Sequence, residues 1–170
     1  MKNLAICFLI LISLIGCQQQ KLGFVDNVVL VNDYQERVDI ESKLQLKIKA
    51  FKTRTDSLRS AFELEIKEAE LRARKMSQSS IQKLSQELQQ KEQILQQRVQ
   101  LEQQSIAQES QILNDSIINK VIEFVKDYGK TNNFNYILGS NEAGSVLYGE
   151  DDSDLTQEIL KALNDTYEKN

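Results

Sequence analysis

Proline, histidine and tryptophan are absent from this chain of 170 residues, which has only two cysteines and six glycines. Without histidine there is no imidazole general base and no imidazole metal ligand. Both cysteines, Cys7 and Cys17, fall near the N-terminus, so the rest of the chain has no thiol for a disulfide, a thiolate metal site or a nucleophile. Glycine is missing between Gly23 and Gly129. A stretch of about a hundred residues without glycine or proline, rich in Gln, Glu, Lys, Arg and Leu, reads as long helix. Ordinary globular helices run roughly 8–20 residues. The chain is therefore organised around an elongated rod, and its function rests on reach and surface more than on a pocket.

The first residues read as an export signal. Lys2 gives a positive start, and Leu4 to Ile15 form an apolar run too short to span a membrane comfortably. The run ends in Leu14-Ile15-Gly16-Cys17, which resembles a bacterial lipobox. That resemblance implies removal of residues 1–16, lipidation of Cys17, and a short tether over 17–20. The alternative is an ordinary signal peptide with an incidental cysteine. Gln18 stands where an Asp would retain a lipoprotein in the inner membrane of some bacteria, which favours the outer membrane.

Charge is unevenly spread. Residues 35–110 carry 14 Lys/Arg against 12 Asp/Glu, and residues 111–170 carry 5 against 11. An acidic balance in an exported chain argues against nucleic-acid binding.

Within the rod, apolar residues keep a heptad: Leu44, Phe51 and Leu58 at one position, Ile48, Phe62, Ala69 and Met76 at the other. Ile81, Leu88, Leu95, Val99, Ile106 and Leu113 continue it beyond Ser77-Gln78-Ser79-Ser80, the rod's only turn-prone cluster. Reversal between Gln78 and Ser79 makes facing residue numbers sum to 157. Met76 then faces Ile81, Phe62 faces Leu95, Leu58 faces Val99, Leu44 faces Leu113 and Ile40 faces Ile117. Glu65 opposite Glu92, Thr55 opposite Glu102 and Ile48 opposite Glu109 break the pattern. A helical hairpin with arms of roughly 60–70 Å follows, with a straight parallel coiled coil as the alternative. Towards its end the rod crowds Ile117, Ile118, Val121, Ile122, Phe124 and Val125 on more than one face, which calls for burial in a broader core.

That core is small. Lys21 to Asp26 reads as a strand, and Val28 to Val31 starts a short helix. Gly129 suits a helix C-cap. Phe134 to Leu138 and Ser145 to Tyr148 alternate like two strands of a hairpin joined by Gly139 to Gly144. Asp154 with Gln157 forms a capping box for a last helix carrying Leu155, Ile159, Leu163 and Tyr167. So small a body calls for oligomerisation.

The order of these pieces resembles the Skp/OmpH family of periplasmic chaperones, most specifically at Lys21 to Asp26, Tyr136 to Gly139, Val146 to Tyr148 and Asp151 to Thr156. The resemblance implies an α+β, predominantly α fold: a long antiparallel helical hairpin, or tentacle, over 35–111 with its turn near 77–80, on a small β-containing trimerisation body from 21–34 and 112–170. It also implies a homotrimer that holds unfolded outer-membrane or envelope proteins between its tentacles without ATP, with no enzymatic activity and no cofactor. The best-known members are soluble and strongly basic. This chain is acidic and carries an anchor signal, so weaker electrostatic capture is expected. The alternative function is a structural coiled-coil envelope lipoprotein, a spacer or tether.

No residue set supports catalysis. Glu150 to Asp154 lacks the spacing of a calcium loop and reads as helix capping. Lys43, Lys47, Lys52 and Arg59, with Arg72, Arg74, Lys75 and Met76 nearer the turn, are candidate contacts for an unfolded chain or an anionic envelope surface; otherwise they are a solvated face. The glutamine-rich second arm offers either non-selective hydrogen bonding or mere solvation.

Overall fold

The computed structural model describes residues 20–141 and 144–169. The signal sequence and Cys17 lie outside the described residues. In chain order the elements are strand β1 (Leu22–Asp26), helix α1 (Asn27–Asn32), helix α2 (Gln35–Ala73), helix α3 (Gln78–Thr131), strand β2 (Tyr136–Ser140), a single 3-10 turn (Asp151–Ser153) and helix α4 (Thr156–Tyr167). Two compact units result: Gln35–Ile118, a helical hairpin, and a body made of residues up to Tyr34 and from Asn119 onward.

In the hairpin, α2 and the first part of α3 are the two arms. Their inward positions follow the apolar repeat. Ala69, Ile106 and Ile117 are buried, while Leu44, Phe51, Leu58, Phe62, Leu88, Leu95, Val99 and Leu113 are half-buried. A pair of helices has no third layer to cover its seam, so most of these side chains keep one edge in water. Ile48 and Met76, placed in the seam by the heptad, are exposed instead. Leu113 and Ile117 belong to the hairpin unit, as their facing partners Leu44 and Ile40 require.

The reversal occupies Arg74 to Ser77, a few residues ahead of the expected turn at 77–80. Lys75 N–H and Met76 N–H donate to the Arg72 and Ala73 carbonyls at 3.1 Å. Ser77 ends the turn and starts the helix: Ser80 N–H donates to its hydroxyl at 3.3 Å and Ile81 N–H to its carbonyl at 3.0 Å. The serines there cap α3, which satisfies amide groups that have no partner in the helix.

The body is built around β1. Strands β1 and β2 pair in parallel, with Leu22 opposite Tyr136 and Asp26 opposite Ser140. On its other side β1 meets the chain before α4, where Leu155 N–H donates to the Phe24 carbonyl at 2.9 Å. The expected antiparallel partner, Ser145 to Tyr148, is not a strand: residues 144–150 are irregular, and Leu147 and Tyr148 are 91% and 84% exposed. Phe24 explains part of the path, since its ring lies against Gly149 so closely that a Cβ there would fall 2.3 Å from a ring carbon.

Asp26 closes β1 and opens α1, accepting from Val28 N–H at 2.8 Å and Val29 N–H at 3.0 Å. Its own N–H donates to the Thr156 hydroxyl at 2.9 Å, and Thr156 in turn donates to the Asp154 carboxylate. The expected capping box is thereby displaced: Asp154 accepts from Thr156 N–H at 2.9 Å, and Leu155 takes the cap position of α4. Helix α3 runs two residues past Gly129, and Asn133 adopts the left-handed conformation that ends it, with φ of 57°. Gly129 serves packing instead, because the Ile137 side chain rests on it. Val25, Leu30, Tyr34, Val121, Leu155, Ile159, Leu160 and Leu163 form the core, closed by an edge-on contact of Tyr34 with Tyr167 at 6.0 Å.

Candidate functional site

The hairpin's two flanks differ. On α2, Lys43, Lys47, Arg54, Glu65 and Arg72 recur at whole-turn spacings and so share one flank. Three of them reach across to α3: Lys47 pairs with Glu109, Arg54 with Glu102 and Glu65 with Lys91. These ion pairs resolve the three breaks in the facing pattern. Glu109, Glu102 and Glu65 sit at the edge of the seam, and each finds a cation one position from the residue it nominally faces. Being roughly half-exposed, such pairs contribute only about 0.2–1 kcal/mol each. Their consequence is geometric, since they cover one side of the seam.

The other flank of α2 carries Glu41, Gln45, Ile48, Lys52 and Arg59. Here the seam is open. A groove of about 350 Å³ reaches Ile40, Leu44, Leu113 and Ile117, and a second of about 210 Å³ reaches Leu58, Phe62, Leu95 and Val99. None of the six ion-paired residues lines either groove. The polar walls combine the carboxamides of Gln45, Gln96, Gln111 and Asn114 with the charged side chains of Arg37, Glu41, Arg59 and Glu92.

The eight candidate contact residues are all exposed, but they do not form one patch. Lys43, Lys47 and Arg72 lie on the ion-paired flank, and the charge of Lys47 is engaged by Glu109. Lys52 and Arg59 lie on the open flank, where Arg59 lines the narrower groove. Arg74, Lys75 and Met76 sit in the turn beside Ser77.

Residue patterning at the seam missed a second set of apolar side chains. Leu46, Leu64 and Leu71 on α2, and Ile94, Leu101 and Ile112 on α3, are each about 60% exposed or more, on the outer side of the arms. The seven-residue spacings Leu64 to Leu71 and Ile94 to Leu101 carried that signal.

In the body, Tyr128 donates to Glu158 at 2.5 Å. Burial, together with this carboxylate, pushes its pKa up to about 12. Lys21 lies 3.9 Å over the Phe134 ring. Among the described residues no group of three or more acidic, histidine or cysteine side chains is arranged to hold a metal ion. None of the described helices is long and apolar enough to cross a membrane.

A long helical hairpin joined to a small body with a parallel strand pair defines a recognisable fold class. The model of the OmpH-like outer membrane protein family matches residues 21–163, so the chain belongs to that family. Comparison with curated proteins gives no match. Among solved structures, the chain is similar to a candidate outer membrane chaperone (OmpH-like) from Caulobacter crescentus CB15. The TM-score is 0.76 at 15% identity, over 89% of this chain and 88% of that one. At that identity the likeness speaks for the fold.

Proposed function

We propose that the protein is an ATP-independent holdase of the cell envelope, which binds unfolded outer-membrane or envelope proteins through its helical hairpin. The observation that carries this reading is family membership over nearly the whole described chain, with the long hairpin intact. The chemistry is compatible with it: a seam with apolar side chains only partly covered, wall carboxamides and a nearly balanced charge offer many weak contacts and no covalent step. Summed over several hairpins, such contacts hold a chain by multivalency.

Assembly as a homotrimer belongs to the same proposal. On the body, the large apolar side chains of Ile122, Tyr136, Leu138, Leu147 and Tyr148 are exposed to water. Other copies of the chain would cover them. A lipid on Cys17, following export, would anchor the assembly in the envelope, with the outer membrane favoured by Gln18.

The test is aggregation of a urea-unfolded outer-membrane barrel protein diluted into buffer without nucleotide. The purified protein is expected to slow light scattering at modest molar excess, and particle mass by light scattering is expected to correspond to three chains. No delay at any excess would overturn the holdase reading in favour of a structural envelope lipoprotein.

A further inference from the structure

The two flanks of the hairpin are not equivalent surfaces, and the difference says where an unfolded chain would lie. Ion pairs bridge the arms on one flank; the apolar side chains exposed beyond them lie on the outer side of each helix, where Ile94 and Leu101 line an open recess on one arm that does not reach the seam residues. On the other flank two grooves open to the seam. We infer that this open flank docks an extended, apolar polypeptide segment of little net charge, its side chains entering the two grooves. The inference rests on the holdase reading and adds the face and the form of the bound chain.

Three observations select this occupant. The charged rim is balanced, with Arg37 and Glu41 at the wider groove and Arg59 and Glu92 at the narrower, which complements a segment without net charge. The wall carboxamides present both donors and acceptors, as the backbone of an extended chain requires. The spacing also fits. Leu44 and Phe62, at the floors of the two grooves, are eighteen residues apart on one helix, about 27 Å at 1.5 Å per residue. An extended chain covers that distance in about eight residues at roughly 3.3 Å each. Side chains an even number apart point the same way, so one strand can fill both grooves. Strands of membrane barrels run about ten residues with alternating apolar side chains, which is the pattern these grooves would read.

The experiment uses the full chain and a dye-labelled ten-residue peptide alternating leucine with serine, with binding read by fluorescence anisotropy. Ile48→Lys and Gln96→Lys place a charge at each groove, both at exposed positions that tolerate it. Leu46→Lys and Ile94→Lys make the same charge change on the opposite side of the arms. The double groove variant is expected to weaken binding by about tenfold or more, and the double control by less than about twofold. Equal losses in both, or none in the groove variant, would overturn the inference. So would a change of particle mass confined to the groove variant, since that would make a second copy the occupant. The same proteins are then assayed against the unfolded barrel. If wild type and groove variant slow aggregation alike, the inference alone falls; if wild type does nothing, the holdase reading falls with it.

Discussion

In the body, Leu30 and Ile159 have no exposed surface at all and Thr156 is buried with every polar group paired; in the hairpin, only Ala69, Ile106 and Ile117 are buried along two arms of some forty residues. The body is a small three-dimensional core, and the hairpin is a seam one side chain thick. A core gains from each neighbour in every direction. A seam gains from one facing helix and loses contact at both edges, so its stability is local and its surface is always available. The hairpin thus offers a surface open to weak, repeated contact, and the body a core packed from all sides.

The contrast is broken most severely by removing a central side chain of the body. Ile159→Ala is expected to cost about 2–5 kcal/mol, enough to unfold a unit of this size, as measured by the denaturant midpoint. A destabilisation below about 1 kcal/mol would mean that the body is not held by this core.

The hairpin should answer to its ends. Ser77→Ala removes the acceptor for Ser80 N–H and is expected to cost about 1 kcal/mol, seen as faster amide exchange over the first turns of α3 with the body unchanged. Smaller still is Arg54→Ala. Loss of its pair with Glu102 is expected to cost at most about 1 kcal/mol and to reduce the salt dependence of hairpin stability.

Tyr128 distinguishes the units by pH. Its pKa in the folded body is about 12 against an ordinary 10.0, because burial and Glu158 both disfavour the phenolate. The folded state therefore holds the proton more tightly than the unfolded one. That contribution is complete below pH 10 and is lost as the pH rises towards 12. Tyr128→Phe is expected to flatten the alkaline loss of body stability and leave the hairpin's melting unchanged, as followed by circular dichroism.

How much of this was legible in the chain follows from the same difference. A seam is one-dimensional, so the heptad positions from Leu44 to Leu113 gave the facing layers from residue numbers alone. The turn was displaced because serines announce both turns and helix starts, and Ser77 does the second. The ion pairs were hidden because facing positions describe the centre of a seam, whereas Lys47, Arg54 and Lys91 act from its edge. In the body, strand-like alternation identified β1 and β2 but not their pairing. The short glycine-bounded loop suggested a local hairpin, whereas β2 pairs in parallel with a strand more than a hundred residues earlier, a contact with no local signature. Asp154 misled for a related reason: its carboxylate serves Thr156, whose hydroxyl is positioned by Asp26 from the far end of the chain. The grooves depend on which flank the ion pairs close, and only the packed arms reveal it.

The division of labour between hairpin and body is tested most directly by amide hydrogen exchange of the full chain with and without a saturating unfolded barrel protein. Slowed exchange confined to Gln35–Ile118, with the body's amides unchanged, is the expected result. Protection appearing in β1, β2 and α4 while the arms exchange as before would contradict it.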